Sequence, residues 1–240
     1  MRTFLLAVGF LTRIPTPLIM PEGRELGRSM AWFPLVGLVL AVLLLGAAHL
    51  LTAWLSPLLT AAIVVSLLAG LTGGLHLDGV ADCADALGVF GDRERRLAVM
   101  KDPRVGALGA VGLLCMLLLK VLALAEAGVA LPVVVLPALV LSRWVAVLLA
   151  VSFPYARPAG TGQAMSTGAG WLEVVLGGAV VLAVLWWSGA WWAASAALLA
   201  ALLLAARMRA LLGGLTGDVY GAAVEVVEVV FFIAAAGVMP

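Results

Sequence analysis

Asp78, Asp82 and Asp85 stand at i, i+4 and i+7 in the stretch Thr72-Gly-Gly-Leu-His-Leu-Asp-Gly-Val-Ala-Asp-Cys-Ala-Asp85. On a helix that spacing lines all three carboxylates along one stripe. Like charges so close repel one another and are costly to desolvate near a bilayer, so a cation should neutralise them. Mg²⁺ suits the donors, because it takes a few carboxylates together with water and substrate phosphates. The plainer reading is an acidic first helical turn on a solvated face. Against it, His76 and the Gly73-Gly74 pair crowd the same segment, and its flanks run straight into long apolar stretches.

Four polar patches surround this chemistry. In Gly9-Phe-Leu-Thr-Arg-Ile-Pro-Thr-Pro17, Arg13 reads equally as a phosphate contact and as a snorkelling interfacial arginine. The aspartate motif with its long loop is the second patch. That loop ends in Met100-Lys-Asp-Pro-Arg-Val-Gly-Ala-Leu-Gly109, where Lys101, Arg104 and two glycines at a helix start resemble an anion cradle. Arg93, Arg95 and Arg96 need no more than interfacial anchoring. The third patch, Tyr155-Ala-Arg-Pro-Ala-Gly-Thr-Gly162, offers Arg157 to the same ligand, or is a lone basic residue in a turn. In the fourth, Asp218, Gly221, Glu225 and Glu228 share one helical face, and acids inside a span are functional by default. The two acidic stripes are expected to line one cavity. Arg143, inside a span, is expected as an internal counter-ion, whereas His49, Lys120 and Glu126 read as snorkelling residues at span ends or lipid-accessible positions.

The elements that must position these groups are membrane helices. With 65% hydrophobic and 11% charged residues in 240, the chain exceeds what a soluble fold can bury. Apolar runs at about 31–52, 56–74, 105–125, 130–151, 171–188, 190–206 and 221–238 approach or exceed the roughly 17–20 residues that cross a bilayer. The sequence predicts an all-α polytopic bundle of about seven spans, or six if 171–206 is one element. A single membrane domain covers 1–240, with 1–28 as an amphipathic or re-entrant lead-in and 75–104 as the catalytic loop.

In that arrangement every Lys and Arg outside a span lies on one side, from Arg2, Arg13, Arg24 and Arg28 through Arg93–Arg104 and Arg157 to Arg207 and Arg209. The positive-inside rule makes that side, and the N-terminus, cytoplasmic. A net charge of +1 carries no message about nucleic acid, and no nucleic-acid partner is expected. Cys83 and Cys115 build neither a disulfide scaffold nor a zinc site. Oligomeric state is left open.

Five strings together resemble the cobalamin synthase (adenosylcobinamide-GDP ribazoletransferase) family, in the family's order and across nearly the whole chain. They are Gly9–Pro15, Trp32–Gly37, Gly74–Asp85, Met100–Gly109 and Gly214–Glu225. The resemblance implies a multi-pass enzyme of the bacterial or archaeal inner membrane. It would join adenosylcobinamide-GDP to α-ribazole or its 5′-phosphate, releasing GMP and requiring Mg²⁺. For such a reaction Asp78, Asp82 and Asp85 would hold the metal, and Lys101 and Arg104 the phosphate oxygens. Arg13, Arg157, Asp218, Glu225 and Glu228 would contact substrate, with His76 or a carboxylate as the base. Two rivals remain. The Asp78/Asp82 pair also resembles membrane prenyltransferases and, more loosely, CDP-alcohol phosphotransferases, and intramembrane acids suit an ion-coupled transporter.

Overall fold

The computed structural model describes residues 1–158 and 160–236, which form helices joined by loops, with an isolated parallel bridge between Tyr155 and Leu215. The helices are α1 (Arg2–Leu11), α2 (Glu25–Arg28), α3 (Phe33–Leu51), α4 (Pro57–Thr72), α5 (Leu75–Gly88) and α6 (Arg93–Val99). They continue as α7 (Ala107–Ala127), α8 (Leu131–Ser152), α9 (Thr161–Gly168), α10 (Trp171–Ser188), α11 (Trp191–Leu212) and α12 (Gly217–Ala236), and 3₁₀ turns at Ser29–Trp32 and Gly128–Ala130 lead into α3 and α8. Each expected apolar run finds its helix. The run at 171–206 is two of them, broken at Gly189, whose φ of 67° ends α10. The last expected span reached 238, and its final two residues lie outside the described ones, as does Ala159 of the third polar patch.

By length and composition five stretches qualify as spans, or six when α4 and α5 are taken together. One of the five, Ala107–Ser152, is 46 residues long and contains both α7 and α8. Unbroken, it would measure about 69 Å, more than twice the hydrocarbon core. It is not unbroken: Gly128 adopts φ 50°, ψ −123°, and α7 and α8 both return to pack on α12. α12 is the central helix, with 72% of its apolar window buried against 39% or less in the other qualifying stretches. The outer helices turn leucines and valines outward, such as Leu114, Leu118 and Leu122 on α7 and Val175 and Leu182 on α10. Exposed tryptophans mark both rims, with Trp171 at the start of α10 and Trp186 and Trp187 at its end. The 18 residues of α10 span about 27 Å, matching the spacing of two membrane interfaces.

One irregularity positions the site. α4 begins on a Ser56 cap followed by Pro57 and ends at Gly73, and Gly74 starts α5. Both glycines are left-handed, with φ of 64° and 71°, a conformation that penalises any side chain. The two helices meet at 93°, so α5 turns away from the line of α4 and folds across the end of the bundle that carries the basic loops. There α5 lies on α12 so closely that a Cβ on Gly79 would stand 2.3 Å from the Asp218 carbonyl oxygen.

Candidate active site

α5 presents its aspartates unequally. Asp78 is exposed and Asp82 half-buried, one turn apart. Asp85 instead caps the start of α7, its carboxylate accepting from the Gly106 and Gly109 backbone N–H groups at 2.7 and 2.8 Å. The expected set of three metal-ligating aspartates therefore does not close, and the amides expected to cradle a phosphate are already held by Asp85. Among the described residues no three acidic, His or Cys side chains converge closely enough to hold a metal by themselves.

The partner of Asp78 and Asp82 comes from the far end of the chain. The loop after α8 is hydrogen-bonded to the loop before α12, through Ala156 N–H to Leu215 O at 2.8 Å and Leu215 N–H to Pro154 O at 2.9 Å. Arg93 clamps this junction by donating to the carbonyls of Leu212 (2.6 Å) and Ala156 (2.9 Å), a specific role where simple anchoring was expected. So held, Arg157 donates to Asp218 Oδ2 at 2.8 Å and to the Met100 carbonyl at 3.2 Å. Thr216 also donates to that same Oδ2. The Arg157 Nε is buried and meets no acceptor among the described residues.

Asp78, Asp218, Arg157 and His76 all line one cavity of about 320 Å³ between α5, α12 and residues 155–157 and 160–162. Burial, with the Asp218 and Asp78 carboxylates beside it, pushes Asp82 up to about 7. The share of that shift due to the two carboxylates is one that a dication would relieve. Two or three hard oxygen donors completed by substrate phosphates match the habit of Mg²⁺, so the residues present fit that ion. His76 is different. Burial first, then the Arg143 charge, drive it down to about 3, so it stands as neutral imidazole and is a weak base. The reason for expecting it as the base, an unperturbed pKa near working pH, does not hold in this environment.

Other expected site residues lie elsewhere. Arg104 is exposed and forms a two-pronged pair with Asp102, and Lys101 is exposed beside it; neither lines the cavity. Arg13 lies against Gly73, whose missing side chain makes the room, and shares with Asp78 a shallower depression outside the main cavity. Glu225 and Glu228 are buried in the bundle. Lys120 Nζ donates to both at 2.5 Å, and Arg143 with Ser142 also donates to Glu228. Lys120 is thus no snorkelling residue: it is 2% exposed and is the shared partner of two carboxylates. Arg143 is the internal counter-ion that its place inside a span demanded. The second acidic stripe therefore splits, with Asp218 joining the α5 acids and Glu225 and Glu228 joining a separate, charge-balanced cluster. No signal in the sequence pointed to Tyr155 and Tyr220, which also line the cavity.

Known proteins resemble this chain over nearly its whole length. The model of the cobalamin-5-phosphate synthase family matches residues 3–236. A relative named adenosylcobinamide-GDP ribazoletransferase from Pseudomonas aeruginosa (strain UCBPP-PA14) is 44% identical over 250 residues, covering 98% of each chain. Relatives of the same name from Ectopseudomonas mendocina (strain ymp) and Pseudomonas putida (strain W619) are 44% and 43% identical and cover at least 95% of this chain. No solved structure matches. With the match running through all twelve helices, from the α1 lead-in to the acidic start of α12, the chain belongs to the cobalamin-5-phosphate synthase family.

Proposed function

We propose that the chain is a Mg²⁺-dependent transferase that joins adenosylcobinamide-GDP to α-ribazole, or to α-ribazole 5′-phosphate, and releases GMP. The observation that carries this reading is the meeting of Asp78, Arg157 and Asp218 in one cavity, from positions up to 140 residues apart, in a chain whose relatives bear that name. The basic-loop end of the bundle is read as cytoplasmic, in a multi-pass inner-membrane protein.

Asp78 and Asp218 would hold the metal, whose charge supports the pyrophosphate oxygens and the phosphate leaving as GMP. Arg157, fixed by Asp218 and the Met100 carbonyl, offers its unused Nε–H to a phosphoryl oxygen. A ribose hydroxyl of the acceptor attacks the cobinamide-side phosphorus as the bond to the bridging oxygen breaks. A product that keeps a 5′-phosphate requires that the attacking oxygen is not O5′. Asp82, one turn from Asp78 and just outside the residues that line the cavity, is held up at about 7 and would accept the hydroxyl proton. The Lys120–Glu225–Glu228–Arg143 cluster pairs its own charges within the bundle, away from the cavity lining. Asp85 fixes α7 to α5 behind it.

The test is incubation of purified protein with Mg²⁺ and either corrinoid-GDP plus α-ribazole or a polyprenyl pyrophosphate with an acceptor. GMP release with a joined corrinoid is expected from the first. Consumption of the polyprenyl pyrophosphate alone would favour the lipid-building alternative.

A further inference from the structure

The same cavity has a second wall that the phosphoryl chemistry does not use. Phe10 and Phe33 line it as a stacked pair, ring centroids 6.0 Å apart and planes within 11°. Met30 and Met165, both buried, lie with them. On α12 the lining runs from Asp218 through Tyr220 to Val224, so it extends about 9 Å along the helix past that carboxylate. Tyr220 also lines the cavity, its ring 6.4 Å from that of Tyr155. Tyr220 is 8% exposed, and its hydroxyl has no hydrogen-bond partner among the described residues. A buried phenol left unpaired is costly, and a ligand acceptor would satisfy it.

Size then discriminates between the two substrates. A cavity of about 320 Å³ is at the small end for organic ligands. It accommodates a nucleoside but not a corrin macrocycle with its amide arms and nucleotide. The acceptor's base is a flat, apolar bicycle. One ring nitrogen carries the ribose, and the other presents an in-plane lone pair that accepts and does not donate.

We propose that the Phe10, Met30, Phe33 and Met165 wall seats the benzimidazole base of the acceptor, with the Tyr220 hydroxyl donating to its unsubstituted ring nitrogen. The ribose then points to Asp78, Asp218 and Arg157, and the corrinoid stays outside the cavity mouth. Tyr220 is a specificity-determining residue for the acceptor. This inference rests on the ribazoletransferase reading above.

Tyr220→Phe tests it. The change deletes an atom with no protein partner, so the fold is expected to be unaffected. The KM for α-ribazole should rise about tenfold, the size of one neutral hydrogen bond, while the KM for corrinoid-GDP stays put. An α-ribosyl indole, carrying C–H where the base has its free nitrogen, should be about tenfold poorer than α-ribazole for the wild type and no poorer for Tyr220→Phe. In the absence of corrinoid, α-ribazole should raise the thermal midpoint of the wild type more than that of the variant. A raised KM for corrinoid-GDP instead, or a variant that still separates the two acceptors as the wild type does, overturns the assignment. Absence of GMP release by the wild type would defeat the underlying reading, and the corrinoid-free thermal shift would then judge the base seat by itself.

Discussion

Asp82 holds its proton more tightly than an ordinary carboxyl because it is partly buried and two other carboxylates stand beside it. The folded protein therefore binds this proton over a range where the unfolded chain has released it, from about 3.8 up to about 7. Metal-free protein should lose stability as pH rises through that window, and Asp82→Asn should flatten the loss. Thermal midpoints taken in chelator between pH 4 and 8 check this, and a parallel slope in both proteins would mean that the proton sits elsewhere. The buried cluster gives an opposite kind of expectation. Arg143→Leu leaves Glu228 with Lys120 as its one remaining cation, and truncating a buried pair should cost about 3–5 kcal/mol, whereas Glu126→Gln on an exposed position should be silent. Equal unfolding of Arg143→Leu and wild type in detergent would contradict the pairing. The Asp78/Asp82 pair and the counter-ion Arg143 were legible in the sequence, because charges inside apolar runs demand a reason. Lys120 was not: a lysine near a span end looks the same whether it snorkels or pairs, and its partners lie 105 and 108 residues away.

At the scale of elements, the decisive contact is α5 on α12. Gly79 permits it, and a side chain there would meet the Asp218 carbonyl at 2.3 Å. Gly79→Val should push the helices apart, separate Asp78 from Asp218 and lower GMP release at least tenfold, while Gly46→Ala, which meets nothing within 4 Å, should leave it unchanged. Full activity in Gly79→Val would show that the two acids need not be adjacent. The helices themselves were readable from apolar length and glycine breaks. The fold of α5 across the bundle was not, since the Gly73-Gly74 pair marks a turn without giving its angle. Helix spacing alone also put Asp85 with its two neighbours. Its capture by the Gly106 and Gly109 amides depends on where α7 begins in space, which no local pattern encodes.

At the scale of the whole molecule, a bundle with one basic end gathers every polar element of the cavity there, and burial of α12 makes that helix the common support. In a variant lacking Cys83 and Cys115, single cysteines near Arg95 and Arg157 should resist a membrane-impermeant thiol reagent in intact cells, and cysteines near Gly128 and Gly189 should react. Labelling at 95 from outside would reverse the orientation. The central claim is that acids from α5 and α12 form one metal-dependent site. The most direct measurement is a Mg²⁺ titration of GMP release for Asp78→Asn, Asp218→Asn and the double variant. If the two act as a unit, each single change removes most turnover and the double is little worse than the poorer single. Independent losses that multiply, or near-normal turnover at limiting Mg²⁺ in either single variant, would contradict it.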